Sequence, residues 1–436
     1  MHQCHLKKRY LLFLILCTML FWNIPAFAHS FHTQTSKKGK SFPKNKQFHQ
    51  QITQLKKKLK PVLEDIAKQK EAIIKEWIKI AEIPAPSKRE QKRGAYIAAL
   101  FKKAGLQVTT DKLGNVIGLK PGRKGKGKKK IIICAHLDTV FGPKVKIKIR
   151  RKGNLLYGPG IGDDTSGIID LVVLAQMFKK HKITFERDIW FIGTVQEELG
   201  LIGAKYFMNK HKKQIAMVIS VDGGYGGISY GAMGIHWYRL AFTGKSRHTL
   251  SSYQRPSTTL AVAKAIRQVY KLKVPRRELM LRTWYSVGKI GGGQVVNAQA
   301  KEAWFTVDLR SMSAKELKRL EEAVFGIVKA TAYRVGVGYR IETIQKFPAA
   351  QLKGIRKSLV LQAAKAVLES LGVKKVRLSP GGANDHCAAL HLGIPGINIG
   401  IAQSKNIHSL REHIDITHMV KGIQQTVLLL AIVAKH

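Results

Sequence analysis

Several stretches of this chain end in side chains able to hold a metal ion. Ile131-Ile-Ile-Cys-Ala-His-Leu-Asp138 closes on His136 and Asp138, and Gly158-Pro-Gly-Ile-Gly-Asp-Asp164 on Asp163 and Asp164. The apolar run after Asp188 closes on Glu197 and Glu198, Met217-Val-Ile-Ser-Val221 on Asp222, and the apolar stretch 393–401 is followed by His408. Imidazole nitrogens and carboxylate oxygens without a thiolate are the donor set of a divalent cation. Taken singly, each stretch has a plainer reading. His-x-Asp can be a polar strand end, Asp-Asp a helix N-cap, Glu-Glu a solvated helix start and Asp-Gly-Gly a turn. Taken jointly, two histidines and several carboxylates at strand ends describe a two-metal site. The glycines before Asp163 match neither a Walker nor a dinucleotide fingerprint, which excludes a phosphate cradle.

The elements that must carry these groups are legible. Apolar runs without polar alternation are strands buried on both faces, as in a parallel sheet flanked by helices. Ligands in such sheets gather beyond the carboxyl ends of the strands. After Asp164 the apolar face Ile168, Leu171, Val172 and Ala175 predicts a helix. Upstream, 61–81 reads as helical, Ile83-Pro-Ala-Pro86 breaks it, and Ser87 is expected to cap a second helix reaching Lys103. Stretches 106–110 and 115–119 read as strands around an Asp111-Lys-Leu-Gly114 turn. From 232 to 347 the pattern becomes β-α-β-β-α-β, a ferredoxin-like insert. The expected class is α/β: a mainly parallel sheet flanked by helices, built from 61–231 and 348–436, with the α+β insert between them.

The chain opens with a basic head, an apolar run over 11–24 and Ala26-Phe-Ala28, the pattern of a cleaved secretory leader over 1–28. Export to the periplasm or beyond is therefore expected, with no later segment reading as transmembrane. Residues 29–60, rich in Lys, Gln, Ser and His, are expected to be a basic flexible tail. Beyond the leader two cysteines remain, Cys134 and Cys387, too few for a disulfide framework. They read as small packed residues, with a bridge as the alternative. The formal charge is +49, and removing Lys7, Lys8 and Arg9 with the leader leaves +46. Such a chain is drawn to anionic surfaces without specificity. Basic residues crowd 37–60, 123–130 and 144–150 and are also scattered through the expected helices, which points to a general bias rather than a specific nucleic-acid face.

With these motifs in order, the sequence resembles the zinc exopeptidase family of glutamate carboxypeptidase, peptidase T (tripeptide aminopeptidase), aminoacylase and succinyl-diaminopimelate desuccinylase. The resemblance runs from about residue 61 onward and includes Glu82-Ile-Pro-Ala-Pro-Ser87 and Asp111-Lys-Leu-Gly-Asn-Val116. It implies two divalent metal ions, zinc in the first place and cobalt or manganese as alternatives. His136 and Asp222 would hold one ion, Glu198 and His408 the other, and Asp163 would bridge. Asp138 would tune His136, and Glu197 would be the general base acting on a metal-bridging water. The resemblance also implies a homodimer through the insert, with His248 reaching the partner's site and Asn297 and Arg310 gripping a substrate carboxylate. The implied substrates are small peptides or N-acyl amino acids. Three departures stand out: Thr165-Ser166 where the family often has Lys, Ser246-Arg-His-Thr249 around His248, and Asn297-Ala-Gln-Ala300 in place of Asn-Ile-Ile-Pro. The alternative reading is an inactive peptidase scaffold serving as a basic envelope- or polyanion-binding protein.

Overall fold

The computed structural model describes residues 46–125 and 127–435. The leader and the first part of the expected tail lie outside the described residues. The rest of that tail is not flexible: Lys46–Lys58 is a helix, followed by Lys60–Lys68 and Lys70–Ala81. Ile52 within the first helix and Leu59 just past its end, seven positions apart on the same side, are both buried. The helix packs on helices Leu359–Ser370 and Met419–Val433. Composition pointed to a solvated segment there, but two well-spaced apolar side chains anchor it.

The main sheet has eight strands. In spatial order they are Gln107–Thr110, Val116–Lys120, Ile189–Thr194, Lys130–His136, Ile215–Val221, Gly396–Ile399, Gly227–Ser229 and Arg377–Ser379. The four strands from Ile189–Thr194 to Gly396–Ile399 are mutually parallel, and Val116–Lys120 pairs antiparallel at one flank. Their unbroken apolar sequence follows from cover on both faces. Ile132 and Cys134 pack with Phe207 and Leu390, toward helices Ile202–His211 and His386–His391. On the other face, helix Thr165–Lys180 lies on strand Lys130–His136, and Phe178 meets Phe191 edge-on at 6.4 Å. Cys134 and Cys387 are free and buried, as the packed reading expects.

The insert follows the expected order. Strands Thr283–Gly292, Glu302–Ser311, Gly234–Thr243 and Gly338–Phe347 form an antiparallel sheet in that spatial order. Tyr238, Leu240, Phe242, Phe305, Val307 and Leu309 alternate onto one face. There they pack with Val262 and Val269 of helix Thr258–Val269 and with Leu320 and Val324 of helix Ala314–Val335. A third sheet has no counterpart in the sequence reading. Strands Gln403–Lys405, His413–Asp415, Leu155–Tyr157 and Arg150–Lys152, three residues each, pair antiparallel. It ties the loop 406–412 to the glycine loop 158–164, which fixes the geometry of the site.

Candidate active site

The carboxyl edge of the parallel strands brings the five expected ligands together. Asp163 stands between two histidines: Oδ1 is 3.0 Å from His136 Nε2, and Oδ2 is 2.9 Å from His408 Nε2. His408 Nε2 is also 3.1 Å from Glu198 Oε1. Donor atoms of His136, Asp163 and Glu198 lie within 4.8 Å of one another, and so do those of His136, Asp164 and Asp222. Asp164 has a second task. It caps helix Thr165–Lys180 by accepting the Gly167 N–H at 2.9 Å, and it accepts the His136 N–H at 3.1 Å. The peptide between Asp163 and Asp164 is cis.

Asp138 organises the strand ends. Its Oδ1 accepts the Glu197 N–H at 2.9 Å, and its Oδ2 accepts the Glu198 N–H at 3.3 Å and the Ser87 hydroxyl at 2.7 Å. His136 Nδ1 lies 3.0 Å from the Asp138 carbonyl and 3.5 Å from its carboxylate. The expected Ser87 cap is therefore corrected. The helix begins only at Gln91, with Glu90 at the cap position and no side-chain cap, and the Ser87 hydroxyl donates to Asp138 instead. Arg93, fully buried, reaches from that helix to the carbonyls of Ala81, Ile83 and Leu137. It thereby fixes the backbone between His136 and Asp138.

Other holding groups were not foreseen in the sequence. The buried Glu412 carboxylate accepts the N–H groups of Gly160, Gly162 and Asp163 at 2.7, 2.9 and 3.0 Å. Thr165 and Ser166, the departure from the family pattern, donate to the Gly160 and Gly162 carbonyls at 2.5 and 2.7 Å and close the same loop. Asn384 donates to the Asp222 carboxylate, and Asn398 to the Asp222 carbonyl at 2.5 Å. Asp385 accepts the Thr194 hydroxyl at 2.5 Å, while its other oxygen is buried without a hydrogen-bond partner. The residues His408 to Glu412 show an acid four places after a candidate ligand, but nothing local says that it faces backbone donors.

Electrostatics here favour positive charge. Burial pushes Glu197 well above the usual carboxylate range, reinforced by Asp385, Glu198 and Asp222. Burial and then Asp163 raise Asp222 to about 7. Burial alone would lower His136, but Glu197, Asp138 and Asp163 outweigh it and raise the imidazole well above its ordinary value. Hydrogen bonds to Asp163 and Glu198 raise His408 to about 10. A buried group of carboxylates and imidazoles, with a carboxylate oxygen on each ring, suits divalent cations.

The insert residues stand apart from this cluster. His248 is exposed, and its loop pairs with that of Asn297: Thr249 N–H donates to Asn297 O at 2.9 Å, and Gln299 N–H to Arg247 O at 2.8 Å. Arg310 binds Asp308 on its own strand, with Nε 3.0 Å from both carboxylate oxygens. The structure thus brings His248 and Asn297 into one loop pair. No hydrogen bond or ion pair among the described residues joins either of them, or Arg310, to the metal-ligand cluster.

The fold and this cluster define a metal-dependent hydrolase. Residues 132–431 match the model of peptidase family M20/M25/M40, and the chain belongs to that family. It is 24% identical over 383 residues to an uncharacterised protein of Bacillus subtilis (strain 168), covering 83% of this chain and 98% of the relative. It is 26% identical over 241 residues to carboxypeptidase G2 of Pseudomonas sp. (strain RS-16), covering 52% of this chain and 57% of that enzyme. Among solved structures, aminopeptidase PepT of Bacillus cereus superposes with a TM-score of 0.69 at 24% identity, covering 84% of this chain and 99% of that one. A tripeptidase of Staphylococcus aureus gives 0.70 at 22%, covering 83% and 98%.

Proposed function

We propose that this protein is an exported, two-metal exopeptidase or amidohydrolase acting in the periplasm or outside the cell. It cleaves amide bonds in small peptides or N-acyl amino acids. The observation that carries the reading is Asp163, with one carboxylate oxygen on each histidine, the posture of an acid shared by two ions. His136 and Asp222 would hold one ion and Glu198 and His408 the other, and their nitrogen and oxygen donors would suit zinc. When bound, the ions polarise the scissile carbonyl and make water a better nucleophile near neutral pH.

The chain's own groups do the rest. Glu197 is buried, with its backbone fixed on Asp138, and its raised proton affinity suits both halves of its task. It accepts a proton from the attacking water and returns it to the leaving amine. Asp138 keeps His136, Glu197 and Glu198 in register. Arg310, with one side of its guanidinium on Asp308, has another side for a substrate carboxylate, and Asn297 adds an amide. Exposed Leu250, Tyr253, Val295 and Val296 flank the His248–Asn297 loop pair, which supports burial against a second copy in a homodimer. The leader pattern supports export. No helix among the described residues is long and apolar enough to cross a membrane.

Elemental analysis of the purified protein, followed by mass spectrometry on a library of peptides and acylated amino acids, tests the reading. About two divalent ions per chain and amide cleavage lost on chelation are expected. A folded chain that takes up no ion and cleaves nothing in the library would overturn it.

A further inference from the structure

The insert joins the catalytic part through two chain crossings that pair with each other. The Ala232 N–H donates to Ala350 O at 2.8 Å, and the Ala350 N–H to Ala232 O at 3.1 Å. Beside this hinge lies a cavity of about 330 Å³. Lys205 and Asn209 of helix Ile202–His211 and His391 of helix His386–His391 line it from the catalytic side. His236 and Lys346, from the first and last strands of the insert, line it from the other.

Among the described residues no carboxylate lines this cavity. The acid that meets its insert wall, Glu321, is already engaged by His236 Nδ1, by the Tyr238 hydroxyl at 2.7 Å and by Lys346 Nζ at 3.3 Å. Lys205 is half-buried. Its ammonium donates to the Lys346 carbonyl at 3.1 Å and lies 5.6 Å from the Phe347 ring centre. Neither contact brings a countercharge. A cation partly withdrawn from water without a carboxylate beside it loses hydration, and an entering anion offsets that loss.

We propose that this hinge cavity is a binding site for a small oxyanion, a phosphate or carboxylate group. Lys205 grips it from the catalytic side, and Lys346 and His236 from the insert. The occupant fastens the two parts across the hinge. It also reaches the chemistry indirectly. Helix His386–His391 lines the cavity and follows directly on Asn384 and Asp385, which hold Asp222 and Thr194. The proposal does not depend on the reaction assigned above, and its test reads binding rather than hydrolysis.

The test is calorimetric titration of the full chain with inorganic phosphate and, separately, with succinate, at physiological salt. A saturable single-site isotherm is expected for at least one probe, and the tighter probe identifies the anion class. Lys205→Met and Lys346→Met should each weaken it by about tenfold or more, and Lys205→Arg should retain it. Lys329→Met, an exposed site on helix Ala314–Val335 with the same loss of charge, should leave it unchanged. Circular dichroism of each variant establishes that it is folded. Amide exchange in peptides spanning 230–236 and 346–352 should slow when the probe is bound. Binding that never saturates, that falls equally in Lys329→Met, or that survives in both Lys205→Met and Lys346→Met would overturn the proposal and assign the effect to the basic surface as a whole.

Discussion

Asp138→Asn isolates the role of one carboxylate that serves three donors. The amide can be placed two ways. With its oxygen at the Oδ1 position, the Glu197 N–H at 2.9 Å keeps an acceptor, and the Ser87 hydroxyl can turn to accept from the new NH2. The Glu198 N–H, 3.3 Å from Oδ2, then meets a donor and is left unpaired. The opposite placement loses the shorter Glu197 bond and turns the NH2 toward His136 Nδ1, so the first should prevail. An unpaired buried N–H costs about 1–3 kcal/mol, and the retained bond loses roughly 1 kcal/mol on passing from charged to neutral acceptor. The sum is about 2–4 kcal/mol, a large part of a typical stability of roughly 5–15 kcal/mol. The ionised form is the one being lost: although burial opposes it, His136 and Ser87 hold Asp138 below its ordinary pKa. The shift falls on the Glu197–Glu198 backbone, so metal affinity should drop about 10–100-fold, as for other groups that hold ligands in place. Urea unfolding followed by circular dichroism reads the first quantity, and competition with a chromophoric chelator reads the second. A variant within about 0.5 kcal/mol of the parent, with unchanged metal affinity, would show that Asp138 is not the clamp described.

Glu197→Gln should keep metal and fold yet lose about 10²–10⁴-fold in kcat; near-normal turnover in a metal-loaded variant removes Glu197 from the proton transfers. Chains inactivated at His248 (His248→Ala) and at Glu197 (Glu197→Gln) should recover some activity when mixed under conditions of proven subunit exchange, and absence of rescue would count against a site completed by the partner. Arg310→Ala should raise KM about 10–100-fold for substrates with a free carboxylate and little for their amides, a loss of at most ~3 kcal/mol; equal hydrolysis of both substrate forms by the parent enzyme would defeat the assignment. Burial lowers His386 to about 4, below its unfolded value, so its neutral form contributes stability that is complete above pH ~6.5 and lost as pH falls toward 4. The loss approaches ~3 kcal/mol, and His386→Gln should remove that part of the slope; identical pH-stability curves for the two proteins would refute it.

His136, Glu197, Glu198 and Asp222 were readable as neighbours because each stands close after an apolar run, and a run stops where its strand leaves the sheet; Asp163 and His408, in loops, entered through the family resemblance. Nothing beyond residue type and position is needed to place His136, Glu197, Glu198 and Asp222 on a common edge. The insert was readable for a similar reason, since the alternation at Tyr238, Leu240 and Phe242 marks a strand covered on one face only. The third sheet was not, because strands of three residues carry no period. Glu412, Asn398 and Arg93 were missed on other grounds. Their partners are backbone groups 10 to 252 positions away, and a main-chain N–H or carbonyl leaves no mark on residue identity. Ser87 does not cap because the helix starts four positions after it, and its hydroxyl donates to Asp138. The helix over Lys46–Lys58 was hidden by a composition that two buried side chains override.

The order in which the sheet is threaded bears on how the protein comes into being. Strand Gly396–Ile399 lies between Ile215–Val221 and Gly227–Ser229, so a gap in the sheet stays open until residues 396–399, more than 160 positions after its neighbours, have been made. His408 and the Glu412 that locks the glycine loop come later still. A nascent chain emerging from the ribosome therefore carries His136, Asp163, Glu198 and Asp222 without the residues that complete and fasten their arrangement. Long-range pairings of this kind form slowly, so the arrangement of these groups is complete only once the chain has been made past Glu412.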